Sequence, residues 1–333
     1  MSVKMLSTRA VEVSGAHRIA HLDGWRGLAI ISVLIAHFGT TNYINLGRFG
    51  VELFFVLSGR LMAELLFVRE MPLKTFFFRR FSRIYPALFV FCALLVATAP
   101  WRAGDPQLLQ FLSSVTLTEN YAQFWVGRSP VLDHIWSLCI EEHTYILLGL
   151  LAFADRKRKL PLIPILMLLA ATGIAIGAMQ TAQGYDYYAV YWRSDVRGAS
   201  ILLGAIAFLA LRHGVPRQLS TPFAPIALGG LGLLLNLNAV ANPVKYSLGT
   251  ACLAASLVLI QNAPALLRHV LTSPLLVHFG VLSYSVYLWQ QPFAKSAGMG
   301  PTCLVLAFAA ALASYYLVER PGREFLNRSG ARA

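Results

Sequence analysis

Charge is scarce in this chain. Asp, Glu, Lys and Arg make up 13% of its 333 residues, about half the share usual in a soluble domain, which excludes a mostly water-facing surface. Acids are scarcer than bases, at 15 Asp and Glu against 28 Lys and Arg. Cysteine is also rare: Cys92, Cys139, Cys252 and Cys303 lie in or beside separate apolar runs with no C-x-x-C spacing. That excludes a disulfide framework and a zinc site, and no metal is expected. Period-two alternation is missing, so barrel strands are excluded, and neither a fixed-period repeat nor a low-complexity tract is present. Residues 1–21 are mixed in character, with no small-residue cleavage site behind the first apolar run, which argues against a cleavable signal.

Apolar residues fill the space that charge leaves, at 57% of the chain with a mean hydropathy of +0.60. Apolar segments near twenty residues predict an all-α, polytopic membrane bundle of about ten transmembrane helices. They fall at roughly 22–40, 49–68, 84–100, 132–154, 160–179, 193–211, 222–240, 243–262, 274–293 and 299–318. The whole chain reads as one transmembrane domain with its core at about 20–320. The one long connection, 101–131, contains an apolar stretch at Leu108–Leu117 suited to the membrane interface. With both termini inside, twenty Lys and Arg residues fall on the cytoplasmic side and seven outside, Arg60 lying within a span. This bias places both ends in the cytoplasm and the bundle in the plasma or inner membrane. Basic residues interspersed among apolar runs point to topology rather than nucleic acid, so no nucleic-acid partner is expected.

Against this background a few polar residues stand out. Arg26 and His37 bracket the first apolar run and are eleven residues apart, which on a helix puts them on one face roughly 16–17 Å apart along the axis. Lipid offers neither a partner, so the stripe should face a polar pathway inside the bundle. In the fourth span, Glu141 and Glu142 follow Asp133 at a depth of about 12 Å, and two adjacent membrane acids must face an interior or wet cavity. His37 and Glu142 are expected at a common depth, where the carboxylate would fix the tautomer of a general base. An interhelical ion pair, or a structural hydrogen bond for His37, is the plainer reading. Arg79, Arg80 and Arg83, interleaved with Phe78, Phe81 and Tyr85 just before the third span, suit a phosphate and a stacked base. Positive-inside anchoring would explain one or two of them. Arg60 either pairs with Glu64 one turn away or adds a cation to the pathway.

The run L-D-G-W-R-G-L-A, with a histidine beyond it, resembles the first helix of the acyltransferase-3 family of integral membrane acyltransferases. The resemblance continues in order through F-G-V-E-L-F-F-V-L-S-G, R-R-F-S-R-I-Y-P, I-W-S-L-C-I-E-E-H-T-Y, R-S-D-V-R-G-A-S-I-L-L-G-A, L-S-Y-S-V-Y-L-W-Q-Q-P and Y-L-V-E-R-P-G-R, from about residue 20 to 325. It implies a ten-helix O-acyltransferase that takes an acyl group, acetyl above all, from cytoplasmic acyl-CoA. The acceptor it implies is a hydroxyl of an exported or cell-surface carbohydrate or glycolipid. It also implies catalytic roles for Arg26, His37 and Glu142, and donor binding by Arg80 and Arg83, with Arg79 beside them. His143, Arg60 and Gln290 depart from the family pattern, the last standing where a histidine often follows Y-L-W. The extracellular hydrolase-like domain fused to some relatives is not expected here. His37 is open to two chemistries, proton removal from the acceptor or a covalent acyl-histidine. A transporter or flippase fits ten spans and intramembrane charge equally well; the phosphate-type arginine cluster separates the readings.

Overall fold

The computed structural model describes residues 20–39, 43–98, 108–295 and 300–330. Lys4, Arg9, Arg18, Arg102 and Arg332, all part of the charge bias, lie outside the described residues. The described chain is helical, without a strand beyond one isolated bridge between Ile44 and Leu237. In order come α1 (Ala20–Phe38), α2 (Leu46–Ala63, running on through a π-turn at Glu64–Val68), α3 (Leu73–Ala97), α4 (Leu108–Val115) and α5 (Glu119–Val126). Then follow α6 (Trp136–Arg158), α7 (Leu162–Ala182), α8 (Tyr187–Tyr191), α9 (Ser194–Leu211) and α10 (Ala224–Leu234). The chain closes with α11 (Asn242–Val244), α12 (Thr250–Val258), α13 (Ala265–Leu271), α14 (Pro274–Ala294), α15 (Gly300–Ser314) and α16 (Arg320–Gly330).

Local chemistry sets the helix ends. Asn45 caps α2 by accepting from the Arg48 amide at 3.0 Å, as short polar side chains do at N-termini. At the end of α6, Arg156, Lys157 and Arg158 fill the last turn and Lys159 takes a left-handed φ of 51°. The Asp155 carboxylate then accepts from the Leu160 amide at 2.9 Å.

Six described helical segments are long and apolar enough to cross a membrane: Leu73–Ala97, Asp133–Arg158, Leu162–Ala182, Ser194–Leu211, Asn242–Asn262 and Gly300–Arg328. A seventh arises if α13 and α14, bent by 44°, count as one span. The expected count of about ten is not reached on this measure, for two physical reasons. α1 and α2 are diluted by Asp23, Arg48 and Glu52, which are buried, and by Arg26, His37 and Arg60, which are half-buried. The expected 222–240 segment contributes only the eleven residues of α10. The third span also begins earlier than its apolar pattern, so Arg79, Arg80 and Arg83 ride on the first turns of a 25-residue α3.

α1 lies at the centre between α14 and α2. Gly24 of α1 lies where a Cβ would land on the Leu271 carbonyl, and Gly27 where one would strike that of Leu276. Such close approach is the membrane use of small residues. Leu271 faces Gly24 and Gln290 faces His37, so α1 and α14 run side by side in the same direction. Gly47 lies by His37 and Gly50 by Ala29, so α2 returns antiparallel. Around them Phe55, Phe91, Ile135, Tyr145 and Leu148 are fully buried. Leu150, Leu168, Leu306 and Leu317 stay exposed on the outer helices, as lipid-facing positions would.

Candidate active site

Two polar zones lie at opposite ends of α1. The first surrounds Arg26, which pairs with Asp23 at 3.0 Å and stands in the electrostatic field of Arg83 and Arg60. Arg80 and Arg83 descend from α3 into this zone. The Arg80 guanidinium meets Glu142 at 3.1 Å and Glu141 at 3.7 Å, and lies 4.1 Å over the Tyr145 ring. Glu141 is held by two further donors, Ser58 Oγ at 3.0 Å and Tyr145 Oη at 2.8 Å. Arg83 faces Arg26, Arg80 and Glu319 and has no carboxylate within 4 Å among the described residues. Arg79 is exposed. Arg60 pairs with Glu64 at 2.9 Å, so the one-turn pair is the geometry found.

Two hollows open near this end. One of about 330 Å³ is lined by His21, Gln261, Arg268, His269 and Thr272 among others. The other, of about 310 Å³, is lined by Arg60, Phe208, Arg212, Gln261 and Asn262 among others.

The second zone is built on His37. Its Nδ1 hydrogen-bonds Oε1 of Gln290 on α14. Gln290 is fully buried, and its amide nitrogen donates to the Tyr287 carbonyl at 3.4 Å, which turns Oε1 toward the imidazole. An acceptor at Nδ1 leaves the proton there and the Nε2 lone pair free, the tautomer a general base needs. Nε2 faces Gly47, where an added Cβ would sit 3.9 Å away. A second histidine, His134, is buried nearby and within electrostatic reach of His37. It packs edge-on to Phe91 at 5.6 Å and tilted to Tyr287 at 5.3 Å.

The expected meeting of His37 and Glu142 does not occur. Glu141 bonds to Ser58, which lies eleven residues along α2 from Gly47, a descent of about 16 Å. The acids therefore sit at the level of Arg26 and neutralise Arg80, and His37 takes an amide as its partner. Gln290 was legible only as a departure from a family pattern; its contact with His37 needed the pairing of α1 with α14. His143, the other departure, contacts Ser194 Oγ at 2.7 Å and stacks on Tyr121.

Residues 108–131, the described part of the long connection, reach the His37 end, where Gln291, next to Gln290, donates to the Pro130 carbonyl at 2.8 Å. α5 is tied down by Asn120, whose side chain donates to the Trp192 carbonyl at 2.9 Å, and by Tyr121, whose hydroxyl accepts from the Ser194 amide at 3.0 Å. Arg128 pairs with Asp133 at 2.6 Å and lies over the rings of Tyr188 and Trp192. Glu119 is buried there, and burial, aided by the nearby Asp133 charge, pushes its carboxyl up to about 8. Among the described residues no cluster of His, Cys, Asp and Glu has metal-site geometry, and all four cysteines are free.

A helical bundle with several membrane-crossing segments and an interior lined by paired charges defines a multi-pass membrane protein. The acyltransferase-3 profile, described as "Acyltransferase domain", matches residues 19–300. The chain belongs to this family. It is 29% identical over 304 residues to the O-acetyltransferase OatA of Staphylococcus aureus, covering 81% of this chain and 50% of that protein. It is 30% identical over 350 residues to the putative membrane-bound transacylase BcsY of Komagataeibacter xylinus, covering 94% and 85%. A putative O-acetyltransferase of S. aureus is 28% identical over 310 residues, covering 82% and 50%. The chain thus spans about half the length of the O-acetyltransferases it matches. No solved structure matches.

Proposed function

We propose that this protein is a membrane O-acyltransferase that moves an acyl group, acetyl above all, from cytoplasmic acyl-CoA to a hydroxyl of an exported or cell-surface carbohydrate or glycolipid. The observation that carries the reading is the state of His37: Nδ1 is occupied by Gln290 and Nε2 is left as a free base, one α1 length from an arginine-rich end. Family membership and the O-acetyltransferase names of the relatives support the reaction class.

In this reading the donor's phosphates rest at the Arg26 end and its pantetheine arm extends along the interior toward His37. The distance along α1, roughly 16–17 Å, is of the order that arm spans. The acceptor hydroxyl gives its proton to His37 Nε2 while its oxygen attacks the thioester carbonyl carbon. The carbon–sulfur bond then breaks, and the departing CoA thiolate takes up the proton. Base catalysis of this kind contributes about 10²–10⁴-fold. Arg83, with no carboxylate within 4 Å among the described residues, is the primary phosphate contact. Arg80 supports it while tied to Glu142, and Arg79 stands at the mouth. Glu142 therefore acts by fixing Arg80 rather than by touching His37.

The ten-helix topology, the inner or plasma membrane location and the cytoplasmic placement of both termini belong to the same proposal. The start of α1 and the Arg320–Arg328 part of α16 lie toward the Arg26 zone, and the twenty-to-seven bias in basic residues supports a cytoplasmic position for that zone. The test is acyl transfer by purified protein in lipid nanodiscs with radiolabelled acetyl-CoA and a carbohydrate acceptor. Product formation that vanishes in His37→Ala supports the reading; a protein that binds no acetyl-CoA and yields no acylated product refutes it.

A further inference from the structure

Beside His37, on the far side of Gly47, lies a second buried group of charges that the transfer reaction as described does not use. Arg197 of α9 and Glu52 of α2 are both fully buried and ion-paired. The Arg197 guanidinium lies 3.8 Å over the Tyr246 ring, and Thr250 donates to the other Glu52 oxygen at 2.9 Å. Two more cations join them. Arg48 is 7% exposed and Lys245 3% exposed. Arg48 reaches the Asn236 carbonyl at 3.2 Å and Asn242 Oδ1 at 3.4 Å and lies beside the Tyr187 hydroxyl, and among the described residues its Nε has no hydrogen-bond partner. Lys245 Nζ reaches the Asn238 carbonyl at 3.4 Å and Asn242 Oδ1 at 3.5 Å. Both sets of bonds are to neutral oxygens.

Three buried cations thus face one carboxylate. The other described acids toward this end are committed elsewhere: Asp133 to Arg128, Asp195 to Arg193, and Asp186 to the amides of Tyr188 and Ala189. Glu119 lies by Asp133, away from the cluster. A surplus of two positive charges in a desolvated site is costly unless an anion completes it. The site is lined by Tyr187, Tyr191 and Tyr246, and among the described residues the buried Tyr191 hydroxyl has no hydrogen-bond partner. Phenol rings offer an apolar face and a polar tip in one side chain, which suits a sugar ring with its hydroxyls. Arg48 follows Gly47 directly, and Gly47 stands against His37 Nε2.

We propose that Arg48, Lys245 and Arg197 form an acceptor subsite that binds an anionic group of the sugar, a carboxylate or a phosphate, and holds it beside His37. This rests on the acyltransferase reading above and narrows its acceptor to an acidic carbohydrate. The subsite retains uncompensated charge in the free protein, at a cost to stability, because ligand binding needs it.

The test uses the full chain in nanodiscs, without donor or turnover, so that it stands apart from any failure of acyl transfer. Binding of a glucuronate-containing tetrasaccharide, of glucose 6-phosphate and of neutral cellotetraose is measured by calorimetry. At least one acidic probe should bind ten-fold or more tightly than cellotetraose, and the one that does identifies carboxylate or phosphate as the recognised group. The preference should vanish in Arg48→Gln and in Lys245→Gln. A second measurement covers a variant that folds poorly. Lys245→Met should raise the melting temperature of the ligand-free protein, because it removes an unneutralised buried charge. Equal binding of acidic and neutral probes overturns the proposal. So does a fall in melting temperature for Lys245→Met, which would make the cluster a structural clamp between α2, α9 and α12.

Discussion

Replacing Gln290 by leucine keeps the volume of a buried side chain and removes the acceptor at His37 Nδ1. Gln290 is fully buried, so water cannot readily replace the lost carbonyl, and the Nδ1 proton is left without a partner. Leaving a buried donor unsatisfied costs about 1–3 kcal/mol. The imidazole escapes that cost by rotating or by moving its proton to Nε2, and either change removes the free base. If the whole cost falls on the reactive arrangement, kcat drops about 5- to 150-fold. Deleting the imidazole itself should cost about 10²–10⁴-fold, so Gln290→Leu should fall between wild type and His37→Ala. The assay is acetyl transfer in nanodiscs with donor concentration varied, so that kcat and the donor KM separate. The reduced kcat should come with a donor KM within two-fold of wild type, because the arginine zone lies at the other end of α1. A Gln290→Leu protein with kcat within two-fold of wild type would refute the argument that this amide sets the His37 tautomer.

Other outcomes follow from the same geometry. Arg83→Lys should raise the donor KM several-fold with little change in acceptor KM, since an ammonium cannot grip phosphate in a bidentate way; an unchanged donor KM would move the phosphate contact to the hollows lined by Arg60, Arg212 and Arg268. Arg80→Ala should destabilise by about 3–5 kcal/mol, because it strands Glu141 and Glu142 without their cation; a melting temperature equal to wild type would contradict that pairing. Glu119 keeps its proton up to about pH 8 in the folded protein, while an unfolded chain releases it near pH 4.5. Its contribution is therefore full below pH 4.5 and lost as pH rises toward 8. Glu119→Gln should flatten the decline in melting temperature between pH 5 and 8, and an unaltered slope would count against it. Single cysteines at Trp125 and Lys157, both exposed, should differ in intact cells: an impermeant maleimide should label the first and not the second, and the reverse pattern would invert the bundle. Gln107, on the same connection as Trp125, lies outside the described residues.

Helix positions were readable from hydropathy because each lipid-facing stretch must be apolar over a fixed length. α7, expected at 160–179, is Leu162–Ala182, and α9, expected at 193–211, is Ser194–Leu211. Hydropathy read less well where a helix is shielded from lipid. α1 and α2 carry charges at the centre of the bundle, and α3 starts eleven residues before its expected start because its first turns are basic. The individual site residues were legible as polar intruders in apolar runs, but their partners were not. Spacing along one helix gives a depth only when the neighbour's register is known. The 3₁₀ turn Asp133–Ile135 and the level of Ser58 on α2 carry Glu141 and Glu142 away from His37. Glu52 and Arg197 did not stand out in the sequence, where Arg197 counts among the seven outer basic residues. Nothing in the spacing joined them, since their contact depends on α2 packing against α9.

In the proposed reaction His37 performs the transfer at a distance from where the donor's phosphates are held. The most direct test of that role compares wild type and His37→Ala in nanodiscs, measuring acetyl-CoA affinity and acetyl transfer on the same preparations. Donor affinity should stay within two-fold of wild type while transfer falls at least 10²-fold. His37→Ala protein that keeps more than about a tenth of wild-type transfer, well above the loss expected for a missing base, would contradict that role.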